Sequence, residues 1–401
     1  MHGLTLLALP TLMPRASATP VPLSTANARR IWIAAQRLDR RSPFGEGPQA
    51  VAEAVAHLGY VQIDTINVIE RCHHHILFTR IPTYRRADLH RAQTLDKSVF
   101  EYWTHAQAYV ATPDLRFFLN DMKLHRRERD RWFASVTAAD KRKVMRLVKQ
   151  GPLTLRDIED DDLREKDHEW ASRKPSKRAL HLAFFEGRLA ISQRQGMLKT
   201  YDLIERHFGW TAPPKAATTA ETATYLLDRA LRSQGVVSLD SICHLDAPSK
   251  AAVKRIIDAR VRKGELVAVA IDGARHPHWA APETLAAEYE PNELVHILSP
   301  FDPLVIQRKR CELFFDYGHK FEAYVPKEKR VLGYFALPVI AGDEIVAALD
   351  LKTDRQKRKL LMQQWTWLGA AHKRANAGLR KALKVRIEDE LDRFENFQLG
   401  E

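Results

Sequence analysis

The spacing of apolar positions along the chain changes from helical to alternating in an order that occurs twice. Residues 139–187 contain segments with helical spacing, interrupted at Gly151, and an alternating run begins at Leu189. Residues 222–263 repeat this order, and a second alternating run begins at Leu266. Helices followed by a β-hairpin are typical of a winged helix-turn-helix unit. The pattern therefore predicts two such units in tandem.

A more degenerate copy of the same order precedes these two. Residues 25–38 and 48–58 have helical spacing, and Gly59 is followed by an extended segment over residues 60–64. Any helical protein can also offer helix, glycine, helix and strand by chance, so that alternative stays open. Our interpretation is a third winged-helix unit at the N-terminal side.

Beyond Pro291 the apolar positions form short segments separated by turn residues. The predicted strands cover residues 294–298, 304–306, 311–317, 320–325, 331–340 and 345–352. Turn signals at a spacing of about 8 to 12 residues are typical of a small antiparallel barrel or sandwich. A charged segment over about residues 372–394 predicts a closing helix. The predicted fold class is α+β, with three tandem winged helix-turn-helix units, a C-terminal small β-barrel and a terminal helix.

The predicted domains follow these changes in pattern. The apolar run over residues 4–13 is interrupted by Pro10 and is shorter than the roughly 20 residues that span a bilayer, so we expect no membrane span. The expected domains are a disordered extension over residues 1–23, winged-helix units over residues 24–120, 121–215 and 216–290, a β-barrel over residues 291–371, and a helix and tail over residues 372–401.

Composition adds a strong positive charge to this picture. The chain has 63 Lys and Arg residues against 50 Asp and Glu residues, for a net charge of +13. Such an excess favours a polyanionic partner such as nucleic acid over an acidic protein. Residues 121–150 carry ten basic residues against four acidic ones, and residues 351–359 carry five against one. A solvated helix face is the alternative for either run.

Basic side chains on two predicted recognition helices are candidates for contacts with DNA phosphates, because the third helix of such a unit normally meets the duplex. The candidates are Lys174, Lys177, Arg178, Lys250, Lys254 and Arg255. The predicted wing of the last unit carries His276, Pro277 and His278. A stiff tip with polar groups suits a DNA groove, and an ordinary exposed turn is the alternative.

Sequence motifs for cofactor or metal chemistry are missing. Cys72, Cys243 and Cys311 are widely spaced, which disfavours both a disulfide framework and a zinc ribbon. The sequence has no phosphate-binding glycine loop, no dinucleotide fingerprint and no H-E-x-x-H helix. The run from Cys72 to His75 is a poor metal site, because consecutive helical residues point in different directions. We expect no cofactor, no metal, and a reducing cytoplasmic compartment in which the protein associates with the nucleoid.

The segment after Gly59 places two polar side chains on one surface. If residues 60–64 are extended, Gln62 and Asp64 are two positions apart and point to the same face. A carboxylate and an amide next to basic residues could serve catalysis. Alternating polar and apolar residues also describe any half-buried strand, so the pattern alone leaves both interpretations open.

A longer stretch around these residues carries a family resemblance. GYVQIDTINVIERCHHHILFTR over residues 59–80, then Ile81-Pro82 and the run FEYWTHA over residues 100–106, resembles the bacterial winged-helix DNA glycosylases that unhook interstrand crosslinks, in their YcaQ (AlkX) branch. The resemblance covers about residues 24–394. It implies tandem winged helices around a basic channel and a C-terminal β-barrel.

The resemblance also implies a reaction and its residues. The family's catalytic signature is Gln, an aliphatic residue, then Gln or Asp, and Gln62-Ile63-Asp64 has the Asp form. The implied reaction hydrolyses the N-glycosidic bond of N7-alkylated guanine in double-stranded DNA, including crosslinked DNA. Asp64 would stabilise the oxocarbenium-like sugar and accept a proton from water, and Gln62 would hold the water.

The same resemblance sets the expected product and partners. No amine nucleophile is implied, so we expect a monofunctional DNA glycosylase that leaves an abasic site. No membrane and no obligate protein partner are expected. The alternative is a noncatalytic winged-helix regulator, in which Gln62 and Asp64 are ordinary strand residues. A second alternative is an architectural or RNA-binding protein that uses the barrel. Excision of 7-methylguanine from alkylated duplex DNA would separate the glycosylase from both alternatives.

Overall fold

The computed structural model describes residues 19–128, 131–159, 162–166, 172–369 and 376–400. Within these ranges, helices alternate with four small sheets, of which three have three strands and one has four. The fold class is therefore mixed α+β, as predicted. None of the helices in these ranges is long and apolar enough to cross a membrane.

The described part of the chain begins with a short strand, β1 (Val21–Leu23). This strand pairs in parallel with a strand that contains Val269, more than two hundred residues later in the sequence. The disordered extension predicted over residues 1–23 is therefore wrong at its C-terminal end, because sheet pairing orders these three residues. Residues 1–18 lie outside the described ranges.

The first helix, α1 (Thr25–Ala35), packs against the later parts of the chain. Its N-terminus is capped by the Ser24 hydroxyl, which accepts a hydrogen bond from the Asn27 N–H. The Trp32 ring lies 5.7 Å from the Phe314 ring. The interpretation of α1 as the first helix of an N-terminal repeat is thus wrong, because its apolar face is buried against residues far away in the sequence.

The first repeat instead begins one helix later. Its elements are α2 (Gly47–Leu58), β2 (Val61–Gln62), α3 (Cys72–Arg80), α4 (Arg86–Thr94), β3 (Val99–Trp103) and β4 (Gln107–Ala111). Helix α2 ends at Gly59, which has a left-handed φ of 82° that suits glycine. The strand order is β2-β4-β3, so β2 is a short edge strand. The predicted helix over residues 48–58 is confirmed, and the predicted extended segment begins as a strand of two residues.

The next two repeats follow the order predicted from the spacing of apolar residues. After α5 (Leu119–Arg127), the second repeat consists of α6 (Ala138–Gln150), β5 (Leu153–Thr154), α7 (Pro175–Phe185), β6 (Leu189–Gln195), β7 (Leu198–Leu203) and the appended α8 (Ile204–Phe208). The third consists of α9 (Thr219–Gln234), α10 (Leu239–Ile242), α11 (Lys250–Lys263), β8 (Val267–Ile271), β9 (His278–Ala280) and the appended α12 (Pro282–Ala286). Their sheets have the orders β5-β7-β6 and β1-β8-β9.

The C-terminal part differs from its prediction in two ways. Its elements are β10 (Val295–Ile297), α13 (Arg308–Phe315), β11 (Ala336–Ala341), β12 (Glu344–Asp354), β13 (Lys359–Trp367) and α14 (Ala377–Leu399). The strands predicted over residues 304–306, 311–317 and 320–325 are wrong. Residues 304–306 form a turn, Cys311, Phe314 and Phe315 are buried at helical spacing on α13, and residues 322–324 form a short 3-10 helix. The sheet has the order β10-β11-β12-β13 with two edge strands, so pairing among the described residues does not close the predicted barrel.

A shared core joins the first repeat to this C-terminal part. Arg80 on α3 and Asp302 are both fully buried, with two nitrogen–oxygen distances of 2.7 and 3.0 Å. The Phe78 ring stacks on the Phe397 ring of α14 at a centroid distance of 4.2 Å. Strand β2 is therefore anchored in a core that combines residues of the first repeat with residues of the C-terminal part.

Candidate active site

Gln62 lies on the edge strand β2 with its side chain almost completely buried. The strand pairs with β4, where Ala108 is the partner of Gln62, and the Cys72 thiol donates a hydrogen bond to the Gln62 carbonyl oxygen at 3.1 Å. The side-chain oxygen Oε1 is 3.1 Å from Nε2 of His105. Because an amide oxygen only accepts, His105 donates this bond and the amide nitrogen of Gln62 keeps its two donors for other partners.

Asp64 follows the strand on a loop and is only half-buried. Its Oδ1 accepts a hydrogen bond from the Ile66 N–H at 2.8 Å. Burial raises the pKa of this carboxyl, and the N–H groups of Ile66 and Thr65 oppose the shift. Among the described residues, no basic side chain forms a salt bridge with Asp64. The carboxylate is therefore free to act on a cationic group that approaches it from outside.

A tyrosine from the C-terminal part feels the charge of this carboxylate. The Tyr324 side chain is 70% exposed. Partial burial, and then the negative charge of Asp64, raise the pKa of its phenol. An exposed aromatic ring thus lies within the electrostatic reach of Asp64.

Two histidines lie near the Gln62 amide. The His105 ring contacts Tyr60 at a centroid distance of 4.9 Å and His244 at 5.3 Å. Burial, His244 and Arg229 lower the pKa of His105 to about 4. At neutral pH the ring is therefore uncharged, with Nε2 protonated toward Gln62, and its Nδ1 lies 3.4 Å from the Thr104 hydroxyl. These contacts fix the orientation of the Gln62 amide.

An arginine from α9 packs directly under the loop that leads into β2. A Cβ atom added at Gly59 would be 2.3 Å from Cδ of Arg229, so a larger residue would have to displace this side chain. The guanidinium of Arg229 lies over the Tyr225 ring at 5.5 Å. The glycine that ends α2 thus allows the third repeat to approach the site.

Lys199 on strand β7 has a lowered pKa and contacts the β2-β4-β3 sheet, which carries Gln62. Lys199 donates a hydrogen bond to the side-chain oxygen of Gln107 at 2.9 Å. Burial and then Arg194 lower its pKa to about 7. Gln107 is adjacent to Ala108, the strand partner of Gln62, and adjacent residues of a strand point to opposite faces. Lys199 therefore approaches the sheet from the face opposite to Gln62.

The predicted phosphate contacts of the second repeat divide into two kinds. Lys174 and Lys177 are exposed at the start of α7. Arg178 is buried, and its guanidinium donates hydrogen bonds to Ser135 and to the carbonyl oxygens of Ser172 and Glu165. This burial argues against the predicted phosphate contact of Arg178, because the guanidinium holds the loops before α7 in place.

Two of the predicted phosphate contacts in the third repeat are already paired with acidic side chains. Lys250 and Lys254 form salt bridges with Asp240 and Asp258, and Arg255 is exposed on α11. In the hairpin, His276 is exposed, with a side-chain exposure of 71%.

His278 differs from its neighbour in the hairpin, because its side chain is buried. Its Nδ1 is 2.9 Å from the His276 carbonyl oxygen, and burial followed by the charge of Arg310 lowers its pKa to about 4. The predicted contact of His278 with DNA is therefore not supported, because the ring belongs to the interior of the protein.

The histidine run on α3 has a structural explanation. His75 donates a hydrogen bond to the Ile297 carbonyl oxygen at 2.8 Å, and His74 is 2.6 Å from the Tyr84 hydroxyl. Burial lowers the pKa of both rings to about 4. Among the described residues, no group of three His, Cys, Asp or Glu side chains is arranged to hold a metal ion.

Sequence reasoning missed the residues that orient Gln62. His105 lies within the run over residues 100–106 that carried the family resemblance, but nothing in its spacing indicated a contact with Gln62. His244 and Arg229 come from a different repeat. Their positions depend on how the repeats pack together, which a single sequence does not express.

Comparisons with known proteins show the family to which this chain belongs. A protein-family model described as DNA glycosylase AlkZ-like matches residues 55–397. The structure of the Streptomyces sahachiroi DNA glycosylase AlkZ is similar, with a TM-score of 0.60 and 16% sequence identity over 95% of this chain and 98% of that chain. Identity at this level shows a common fold alone. The family match adds the activity, and the protein is therefore a DNA glycosylase, an enzyme of DNA repair.

The family match extends over most of the chain and includes both Gln62 and Asp64. The chain belongs to the AlkZ-like DNA glycosylase family. The enzyme class and the DNA substrate predicted from the sequence are thereby confirmed.

Proposed function

We propose that this enzyme removes N7-alkylated guanines from double-stranded DNA, including guanines joined in interstrand crosslinks, and leaves an abasic site. The observation that carries the proposal is the half-buried Asp64 carboxylate, which has no cationic partner among the described residues and lies two residues from an oriented amide. Such a group is suited to a substrate that brings its own positive charge.

The proposed reaction needs little from the protein at the base. An N7-alkylated guanine is already cationic, so it departs as a neutral base when the bond to C1′ breaks. The positive charge then moves to the sugar, which becomes oxocarbenium-like. Asp64 stabilises this charge and accepts a proton from the water that attacks C1′, by analogy with glycoside hydrolysis. The products are a neutral alkylguanine and an abasic sugar with a new C1′ hydroxyl.

The contact with His105 limits the hydrogen bonds that the Gln62 side chain can make to substrate or water. Because Oε1 accepts from His105, the side chain offers donors only. It can donate to the oxygen of the attacking water or of the sugar, but it cannot take the proton. The proton therefore goes to Asp64, and His105 is a positioning residue that keeps the Gln62 amide in its productive orientation.

The three repeats support a proposal of three tandem winged-helix units. Each places helices before a β-hairpin. The proposed units cover residues 24–120, 121–215 and 216–290. Helix α1 falls within the first of these ranges, although it packs mainly against α9 and α13. Exposed Lys174, Lys177, Arg255 and His276 remain candidates for DNA contact, with Lys250 and Lys254 available if they exchange their acidic partners for phosphates.

The position of Lys199 supports a monofunctional reaction, in which the enzyme releases the base without cleaving the DNA strand. A glycosylase that cleaves the strand needs an amine that attacks C1′, and Lys199 has a pKa lowered to about 7, by burial first, which would favour a nucleophilic amine. Its hydrogen bond to Gln107 holds it on the face opposite to Gln62. Borohydride trapping should therefore give no covalent complex between enzyme and DNA.

The proposal is tested by excision of 7-methylguanine from duplex DNA under single-turnover conditions. Asp64→Asn keeps the shape and removes the carboxylate, so base release should fall by roughly two or more orders of magnitude while DNA binding survives. Asp389→Asn on α14 is the matched control, since Asp389 is exposed and far along the chain. Near wild-type excision by Asp64→Asn would overturn the catalytic assignment. A wild-type enzyme that leaves 7-methylguanine and crosslinked guanine in place would overturn the substrate class.

A further inference from the structure

The turn between α10 and α11 holds an exposed leucine beside the candidate active site. The Asp246 N–H donates to the Cys243 carbonyl oxygen at 3.0 Å, which closes a four-residue turn. His244 in this turn faces the His105 ring at 5.3 Å, and His105 in turn bonds Gln62. Leu245 is the next residue, and it is 79% exposed. The turn therefore presents an apolar side chain to solvent, on a segment that His244 and His105 connect to Gln62.

The backbone of this leucine is unusual for its residue type. Leu245 has a φ of 56°, in the left-handed region. It is the third residue of the turn, a position at which a positive φ favours Gly or Asn. Leu gains no packing there that would offset this conformation, since most of its side chain is exposed. Sparsely populated backbone conformations of this kind cluster at functional sites.

A single exposed leucine needs no explanation by itself, because surfaces of soluble proteins contain many apolar atoms. Leu379, which is 62% exposed in the first turn of α14, is such a case. Leu245 differs because three observations coincide: its exposure, its left-handed backbone and its place next to the partner of His105.

We propose that Leu245 is a wedge that enters the base stack of duplex DNA beside the lesion. The glycosidic carbon of a stacked nucleotide is poorly accessible, so enzymes that act on bases distort or open the duplex. Apolar side chains inserted between base steps unstack them, and the inserted side chain is removed from water. The Leu245 side chain is already exposed to solvent in the absence of DNA. This inference rests on the proposed assignment of Gln62 and Asp64 as the catalytic pair.

The test compares excision of 7-methylguanine from duplex and from single-stranded DNA of the same sequence. The variants are Leu245→Ala, Leu245→Asn, Leu245→Met and, as the control, Leu379→Ala. Asn suits a left-handed backbone, so Leu245→Asn should fold at least as well as the wild type and lose only the apolar side chain. The ratio of duplex to single-strand rates should fall by about tenfold or more for the Ala and Asn variants. Leu245→Met and Leu379→Ala should keep the wild-type ratio.

A second measurement separates this inference from the proposed function. A duplex with 2-aminopurine next to the lesion should become brighter on binding Asp64→Asn enzyme, because the neighbouring base is unstacked without being released. Adding Leu245→Asn should remove that increase. A preserved increase, or a duplex-to-single-strand ratio within about twofold of wild type, would overturn the wedge. If the wild-type enzyme excises no 7-methylguanine, but the fluorescence increase with the Asp64→Asn enzyme still depends on Leu245, the proposed function is overturned and the wedge is supported.

Discussion

Gly59→Ala is the substitution that most directly tests how the repeats build the site. The glycine ends α2 with a φ of 82°, and its absent Cβ would lie 2.3 Å from Cδ and 2.4 Å from Cγ of Arg229. An alanine there must adopt a left-handed backbone and also push Arg229 away. That arginine lies near His105, whose pKa is lowered to about 4 by burial, by His244 and by the charge of Arg229.

The two effects of the substitution have separate magnitudes. An L-residue in the left-handed region costs about 1–2 kcal/mol. Overpacking a filled space adds about 1–3 kcal/mol, and we expect the lower end because the Arg229 side chain can swing outward. Gly45→Ala is the matched control, since Gly45 has a φ of 75° and no atom within 4 Å of its added Cβ. The difference between the two variants isolates the displacement of Arg229.

Stability and excision should respond differently in this pair. Chemical denaturation should find Gly45→Ala destabilised by about 1–2 kcal/mol and Gly59→Ala by about 2–4 kcal/mol. Excision of 7-methylguanine should be normal in the control and fall by about tenfold in Gly59→Ala, because small displacements at a reacting centre are costly.

A double-mutant cycle completes this test. Arg229→Ala removes the side chain that the new Cβ meets, so the extra cost of Gly59→Ala should disappear in that background. Equal excision by Gly59→Ala and Gly45→Ala, or an unchanged extra cost without Arg229, would refute the packing argument.

Three further predictions concern the site and the DNA contacts. His105→Ala should lower kcat by about tenfold while KM for damaged duplex changes little, because the Gln62 amide loses its orienting donor, and His105→Gln should restore part of the rate. Because burial raises the pKa of Asp64 above its ordinary value of 3.8, its base form should be lost as pH falls through that raised value, so the acidic limb of the excision profile should lie above pH 3.8. An acidic limb that persists in Asp64→Asn would contradict this. Lys177→Glu should reduce the magnitude of the slope of log K against log salt by about 0.9 in a fluorescence polarisation titration without changing stability, whereas Arg178→Ala should lower the free energy of unfolding by about 1–3 kcal/mol. The reverse pattern would restore Arg178 as a phosphate contact.

Much of the secondary structure could be predicted because it depends on local periodicity. The helix ending before Gly59 and the later repeats follow from apolar spacing, and the structure confirms these helices. The same periodicity failed at residues 311–317, where a short apolar run fits either a strand or a helix. It also failed to assign α1, because an amphipathic helix does not reveal which distant partner covers its apolar face.

The candidate site was predictable only in part, and for a related reason. Gln62 and Asp64 lie two residues apart, so their proximity follows from the chain itself. The contact between Gln62 and His105 spans 43 positions, and His244 comes from another repeat. Burial was equally invisible to the sequence, since a basic residue on a predicted recognition helix gave no sign that Arg178 would be enclosed.

The ion pair between Arg80 and Asp302 limits how this enzyme can be shortened. Both side chains have no exposure, and removing one partner of a buried pair typically costs about 3–5 kcal/mol. A fragment that ends after the third repeat would keep Arg80 and lose Asp302, together with Phe394 and Phe397 from the shared core. Engineers who seek a minimal excision module should therefore expect aggregation from such fragments. The segment that carries Gln62 and Asp64 would have to be transplanted together with the C-terminal part of the chain, from Val295 to Phe397.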